Sequence, residues 1–369
     1  MEPTAPDHDD AGGLAHLATA GVAIWLDAVA RAQVRSGRLA TLALDGVSGV
    51  MTSADAFAAA LENDSYSSDL AALAATGAGP TESATILAAD DARDACDVLR
   101  GVFDASGGCK GWVTVPIDPR HARDSEATLR AVRSMRALVD RPNLLVGVPA
   151  TKQGVYAILG AVAEGISVTA TSVFSRDRFR AVQLAYLEGL ERADLAGRDL
   201  SAIASFVSLP LAPIDAAVDS VLDQIGTDEA TGLRGRLAIA HAVLAYAAYE
   251  AHLARPRWRA LADAGARPQR LVWTSIDEPA AASSRVAHLV ARGAVLALDD
   301  DALAAVAEDA QIDGDTIHEQ YASAQTVLDD AERIGVPLGD LTRDLHQDAL
   351  ARDVAAWDTL LARLAAVTP

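Results

Sequence analysis

Leu144-Leu-Val-Gly-Val148, closed by Pro149-Ala-Thr151, is the stretch that decides the fold. It is a short apolar run with no polar alternation, which is the pattern of a strand buried on both faces. Working outward, similar runs recur before it at Val22–Leu26, Gly46–Met51 and Trp112–Val115. They recur after it at Ile166–Thr171, Ile203–Val207, Arg270–Thr274 and Val295–Leu298. Helical spacing fills much of the sequence between them: Arg31–Leu44, residues 54–105 with a break near Gly77–Pro80, Ser125–Val139, Arg176–Ala196, Ile214–Ile225 and Leu237–Ala254. Further helices are expected at about 301–310, 315–334 and 344–366. Strands alternating with helices indicate a parallel sheet covered on both sides, and about eight of them indicate a closed (β/α)8 barrel with extra C-terminal helices. A doubly wound open sheet is the alternative, weakened because no strand runs into a Gly-x-Gly-x-x-Gly turn. Residues 1–13 read as a disordered polar tail and 14–369 as a single domain.

Composition narrows the partners. A net charge of -20 makes nucleic acid and anionic membrane poor ligands, because phosphate binding needs clustered cations. The same charge also serves solubility. Only two lysines occur, Lys110 and Lys152, so imine chemistry would have to use one of them or the N-terminus. Cys96 and Cys109 form no metal or disulfide pattern, and no cofactor or metal is expected. The acidic start, Met1 to Asp10, does not read as a secretory signal, and no apolar run is long and charge-free enough to span a bilayer. A cytoplasmic location is the expectation.

Several segments, in order and spacing, resemble the bacterial transaldolase family, especially its actinobacterial branch. They include Trp25-Leu-Asp27, Asp45-Gly-Val-Ser-Gly-Val50, Pro119-Arg120 with Asp124 and Glu126, and Asp140-Arg-Pro-Asn143. They continue with Val148-Pro-Ala-Thr151, Gly165-Ile-Ser-Val-Thr-Ala-Thr171, Phe174-Ser175, Leu233-Arg-Gly-Arg236, and Trp273 with Ser275. The resemblance covers about residues 14 to 279 and continues more weakly to the end. It implies a barrel whose fourth strand carries a Schiff-base lysine, an aspartate matching Asp27 that transfers protons, and a threonine matching Thr171 that orients the catalytic water.

The departures fall on the functional positions. Gly147 stands where the resemblance implies the lysine, and Pro116 where it implies the water-positioning glutamate. The asparagine after the second strand is replaced by Ser53 or Ala54, depending on the anchor. No cation occurs between Arg198 and Arg234, where the resemblance implies a phosphate-binding arginine after Ser205-Phe-Val-Ser208. The later phosphate loop reads Ser275-Ile-Asp-Glu-Pro279, with Asp277 and Glu278 where small residues and a cation belong. Two carboxylates in a partly desolvated site repel a phosphate ester.

The expected site is therefore the C-terminal mouth, where barrel enzymes place catalytic groups. Asp27, Thr171 and Lys152 are the catalytic candidates. Ser53, Asp118, Gly147, Thr151, Ser175, Ser205, Asp277 and Glu278 are the substrate-binding candidates. Lys152, read as lying in the loop after the fourth strand, would restore imine chemistry if it reached inward; a solvated loop lysine is the plainer reading. Lys110 precedes its strand and belongs at the opposite, stabilising end. Asp118 and the other strand-end acids also read as helix caps. The leading expectation is a repurposed enzyme of specialised metabolism acting on a non-phosphorylated, amine-bearing small molecule. The alternatives are a non-catalytic protein that binds a partner, such as an active paralogue or a second copy of itself, and an aldolase using Lys152.

Overall fold

The computed structural model describes residues 13–61, 64–276, 279–309 and 314–367. Eight short apolar segments form its strands: β1 (Ala23–Leu26), β2 (Val47–Met51), β3 (Trp112–Pro116), β4 (Leu144–Pro149), β5 (Val168–Thr171), β6 (Ser205–Pro210), β7 (Arg270–Thr274) and β8 (Val295–Leu298). Each pairs in parallel with the next, and β8 returns to β1 with Trp25 opposite Ala297 and Leu26 opposite Leu298. The ring is closed, which removes the open-sheet alternative and leaves no sheet edge unpaired.

Alternation along each strand divides the core in two. Outward residues such as Leu26, Val113, Val146 and Val148 are fully covered by helices contributing Ile158, Val162 and Phe179. Inward residues form a separate cluster that includes Trp25, Trp112, Leu145, Phe206 and Val272. Phe206 is its hub: the Trp25 ring lies 4.8 Å away and the Trp112 ring 6.0 Å away, between centroids. Trp25 fits because Gly49 lies beneath it; a Cβ there would fall 2.4 Å from the indole Nε1. Beyond this aromatic plug the inward positions turn small and polar. The Thr114 and Thr169 hydroxyls meet at 3.0 Å, and those of Ser208 and Thr274 also at 3.0 Å. Each such pair satisfies two buried hydroxyls that would otherwise each lack a partner.

The helices depart from expectation in several places, and short helices at Asp228–Leu233, Pro256–Asp263 and Pro279–Ala287 stand where none was expected. Arg31–Leu44 is two helices, 31–35 and 38–44, because Gly37 takes a left-handed backbone (φ 82°) at the start of the second. A helix at Lys152–Ala163 occupies a stretch expected to be loop. A short helix begins at Gly13, inside the expected tail, whose remaining residues lie outside the described ones. The C-terminal helix runs unbroken from Leu338 to Val367, longer than its periodicity indicated.

That last helix roofs the C-terminal end of the barrel. Trp357, Leu360 and Leu364 are buried against Phe57, Tyr66, Leu70 and Leu87 from the helices that follow β2. His346 donates through Nδ1 to the Ser172 carbonyl at 2.9 Å. Arg120 holds Asp118 at 2.6 Å and reaches Asp358 at 3.7 Å. Nearby, the buried Arg31 is ion-paired with Asp69 and Asp91 and stacks on Tyr66 at 3.8 Å, fixing the wall that Trp357 leans on. Among the described residues no single helix is long and apolar enough to cross a membrane; the one apolar pair, Leu237–Leu253 and Pro256–Asp263, is bent by 69°.

Gly49→Ala should cost about 1–3 kcal/mol by forcing the Trp25 indole off its seat. Urea unfolding reads this as a lower midpoint with an unchanged slope. A midpoint equal to that of the parent protein would mean the plug is loosely packed.

Candidate active site at the C-terminal mouth

A cavity of about 190 Å³ opens at the C-terminal ends of the strands, under the C-terminal helix. Its floor is Gly147, Thr171, Ser208 and Thr274; its sides include Asp27, Ser53, Ser172 and Ser275; its roof is Asp353 and Trp357. Among the described residues, the titratable side chains on this wall are Asp27 and Asp353, and no lysine, arginine or histidine accompanies them.

Asp27 follows β1 directly. Its amide donates to the Leu298 carbonyl at 2.8 Å, and its Oδ1 accepts the Ala28 amide at 2.8 Å. Burial raises its pKa; the Ala28 amide opposes that shift and the charge of Asp299 adds to it. The register of β1 on β8 sets Asp299 beside Asp27, while Asp299 also caps the helix after β8 by accepting from Ala302 at 2.8 Å. Asp353 comes from the roof. Its carboxyl is pushed up to about 6, first by burial; Arg352 lowers it and Asp55 raises it. The indole N–H of Trp357 is buried without a partner. Three non-glycine residues at strand ends have left-handed backbones: Ala28 (φ 57°), Ser172 (φ 59°) and Ser275 (φ 47°). Such strain, about 1–3 kcal/mol each, collects at sites where geometry matters more than stability.

Asp27, Ser53, Gly147 and Thr171 are thus brought together as the strand-end reading required. Others are not. Lys152 is the first residue of a helix, exposed, and is not among the residues lining the mouth. Thr151 is buried with its hydroxyl committed, donating to the Ala122 carbonyl and capping the helix at Gly154. Ser175 caps the helix Arg176–Leu195 by accepting from Arg178. Asp118 caps the turn Pro119–His121 and is locked to Arg120, lining a neighbouring cavity instead. Ser205 begins β6 at the opposite end of the barrel, where it accepts from Gln269 at 2.7 Å. Asp277 and Glu278 lie outside the described residues. Sequence reasoning missed Asp299, whose position after β8 repeats that of Asp27 after β1, and missed Asp353 and Trp357, which only the docking of a remote helix brings in.

The family model for Transaldolase/Fructose-6-phosphate aldolase matches residues 24–364. The chain belongs to the transaldolase family. It is 45% identical to the transaldolase of Thermobifida fusca over 357 residues, covering 95% of this chain and 97% of the relative. It is 43% identical to transaldolase 1 of Streptomyces coelicolor, covering 95% and 94%, and 41% identical to the transaldolase of Frankia alni, covering 95% and 96%.

At Gly147, where the resemblance implies the lysine, a Cβ would lie 3.3 Å from the Val115 carbonyl oxygen and 3.4 Å from Pro116 Cα, a tight contact with backbone that a small shift would have to relieve. At Gly154 the same atom would fall 2.0 Å from the Pro149 carbonyl oxygen, which no side chain survives. The fold excludes a side chain at Gly154 and crowds one at Gly147 far less.

Carboxyl-carbon NMR should show Asp353 titrating near pH 6. Because its pKa is raised on folding, the protonated form is the stabilised one. Wild-type stability relative to Asp353→Asn should therefore be fully present below about pH 4, the ordinary aspartate range, and be lost as pH rises through 6. Parallel stability curves for the two proteins from pH 4 to 7 would show that the carboxyl is not held in a desolvating mouth.

Proposed function

We propose that this transaldolase-family chain has given up imine chemistry at β4. In its place it performs carboxylate acid–base chemistry on a small, non-phosphorylated molecule. The observation that carries this is the mouth wall, which among the described residues holds Asp27 and Asp353, no cation, and Gly147 where an amine would have to stand. A phosphate ester entering there meets two carboxyl groups that repel it when ionised and no cation to hold it; a neutral or amine-bearing substrate meets hydrogen-bonding groups and, if protonated, attraction.

Asp27 is the proton-transfer residue. A carboxyl with a raised proton affinity stays protonated to higher pH, and so serves as an acid at one step and a base at its reverse. The Asp299 charge next to it keeps that affinity high. Thr171 and Ser208, small polar residues on the floor, orient the substrate or a water, and Asp353 on the roof receives a positively charged group. The mouth is a formed cavity with convergent polar groups, which supports an enzyme over a partner-binding relic. The exposed large apolar side chains Leu44, Tyr156 and Leu195 are distributed over different helices, and that too supports an enzyme. The exposed placement of Lys152 weighs against a relocated imine.

Borohydride trapping with dihydroxyacetone and fructose 6-phosphate, read by intact mass, should leave the wild-type chain unmodified. The Gly147→Lys variant should gain a covalent adduct. An adduct on wild type that disappears in Lys152→Ala would overturn the proposal in favour of imine chemistry. In a thermal-shift panel, amino sugars and neutral polyols should raise Tm while the matching sugar phosphates do not; the reverse order would sink the substrate class. With a turned-over substrate in hand, Asp27→Asn should lower kcat about a hundredfold or more.

A further inference from the structure

The larger cavity lies at the other end of the barrel. It encloses about 410 Å³, within the range of small-molecule sites, and is built where the strands begin. Trp112 and Phe206, the underside of the aromatic plug, contribute to its lining along with Ala23 and Ala204. Its rim carries Lys110, Arg267, Arg270 and Arg292, and among the described residues no aspartate or glutamate lines it. In a chain with 51 acidic and 31 basic residues, this is a local reversal of sign.

Two of the four cations have structural work. Arg270 donates to the carbonyls of Cys109, Gly293 and Ala294, at 2.9, 2.7 and 3.4 Å. Arg267 ties the Gly107 and Ser201 carbonyls together. Both guanidiniums are held by neutral oxygens; Asp199, which is not among the lining residues, partly offsets Arg267, and burial lowers the pKa of Arg270. Lys110 and Arg292 are different: both are exposed at the rim, and neither makes an ion pair or a side-chain hydrogen bond among the described residues. Four like charges converging on an apolar hollow repel one another and create a positive potential there, which an anion would relieve. An apolar body would find a floor of Ala23 and Ala204 with the small exposed parts of Trp112 and Phe206, each 2% exposed.

We propose that this basal cavity is a second binding site, for a small organic anion with an apolar body. Its anionic group pairs with Lys110 and Arg292, and its apolar body fills the hollow over Ala23 and Ala204. The site is physically separate from the mouth, because the Trp25–Phe206–Trp112 plug fills the barrel between them.

The test titrates the full chain with anilinonaphthalene sulfonate, an aromatic anion, following dye fluorescence, and then displaces it with salicylate or with phenyl phosphate. Wild type should bind one dye per chain. Lys110→Gln/Arg292→Gln, which alters two exposed side chains and should leave the fold intact, should weaken binding at least tenfold. The charge-matched control Lys152→Gln/Arg236→Gln should bind as wild type does. Displacement by salicylate or by phenyl phosphate supports the site and tells a carboxylate from a phosphate head group. Absence of one-to-one binding, equal binding by the double variant, equal weakening by the control, or failure of both competitors would each overturn the proposal.

Discussion

A closed ring of eight strands encloses a fixed volume, and everything else in this molecule follows from how that volume is filled. Trp25, Phe206 and Trp112 fill the lower part, which is possible only because Gly49 yields room for an indole. Nothing of comparable size stands above them. The inward positions there are Thr114, Gly147, Thr169, Ser208 and Thr274, which leave space and hydrogen-bonding groups at the upper end. One packing decision thus produces two hollows with a dry partition between them.

The barrel was legible because parallel strands buried on both faces read as short, mostly apolar runs, some carrying only small Ser or Thr among the apolar residues, alternating with helical stretches. The helix Lys152–Ala163 was not, for a physical reason. Its sequence carries Gly154 and Gly160, which ordinarily weaken a helix. Here they are required by close approach: a Cβ would strike the Pro149 carbonyl oxygen at 2.0 Å in one case and Leu129 at 2.9 Å in the other. Tertiary contact overrode local propensity, and the same misreading put Lys152 in a loop. The site was half legible. Asp27, Ser53, Gly147 and Thr171 follow from strand ends alone. Asp353 and Trp357 do not, since no local pattern says that a helix some two hundred residues after β4 will lie across the mouth. Thr151, Ser175 and Asp118 sit near strand ends too, but their polar atoms are spent on capping helices, a distinction that only the hydrogen bonds reveal.

Charge is distributed between the two ends with opposite sign. The mouth gathers Asp27, Asp353 and the neighbouring Asp299, while the base gathers Lys110, Arg267, Arg270 and Arg292. Neither group is neutralised by counter-charges on its own wall. Where a stability-optimised surface would intersperse the two signs, this one separates them along the barrel axis, so each opening discriminates among ligands by charge before any contact is made.

The roofing helix also has a consequence in time. All eight strands leave the ribosome before residue 338 does, so the ring can close while its mouth still lacks Asp353 and Trp357. Until that helix arrives, Phe57, Tyr66 and Leu87 have lost their cover. Between ring closure and the docking of Leu338–Val367 a nascent chain thus still shows an apolar patch at its mouth, one that a chaperone could hold.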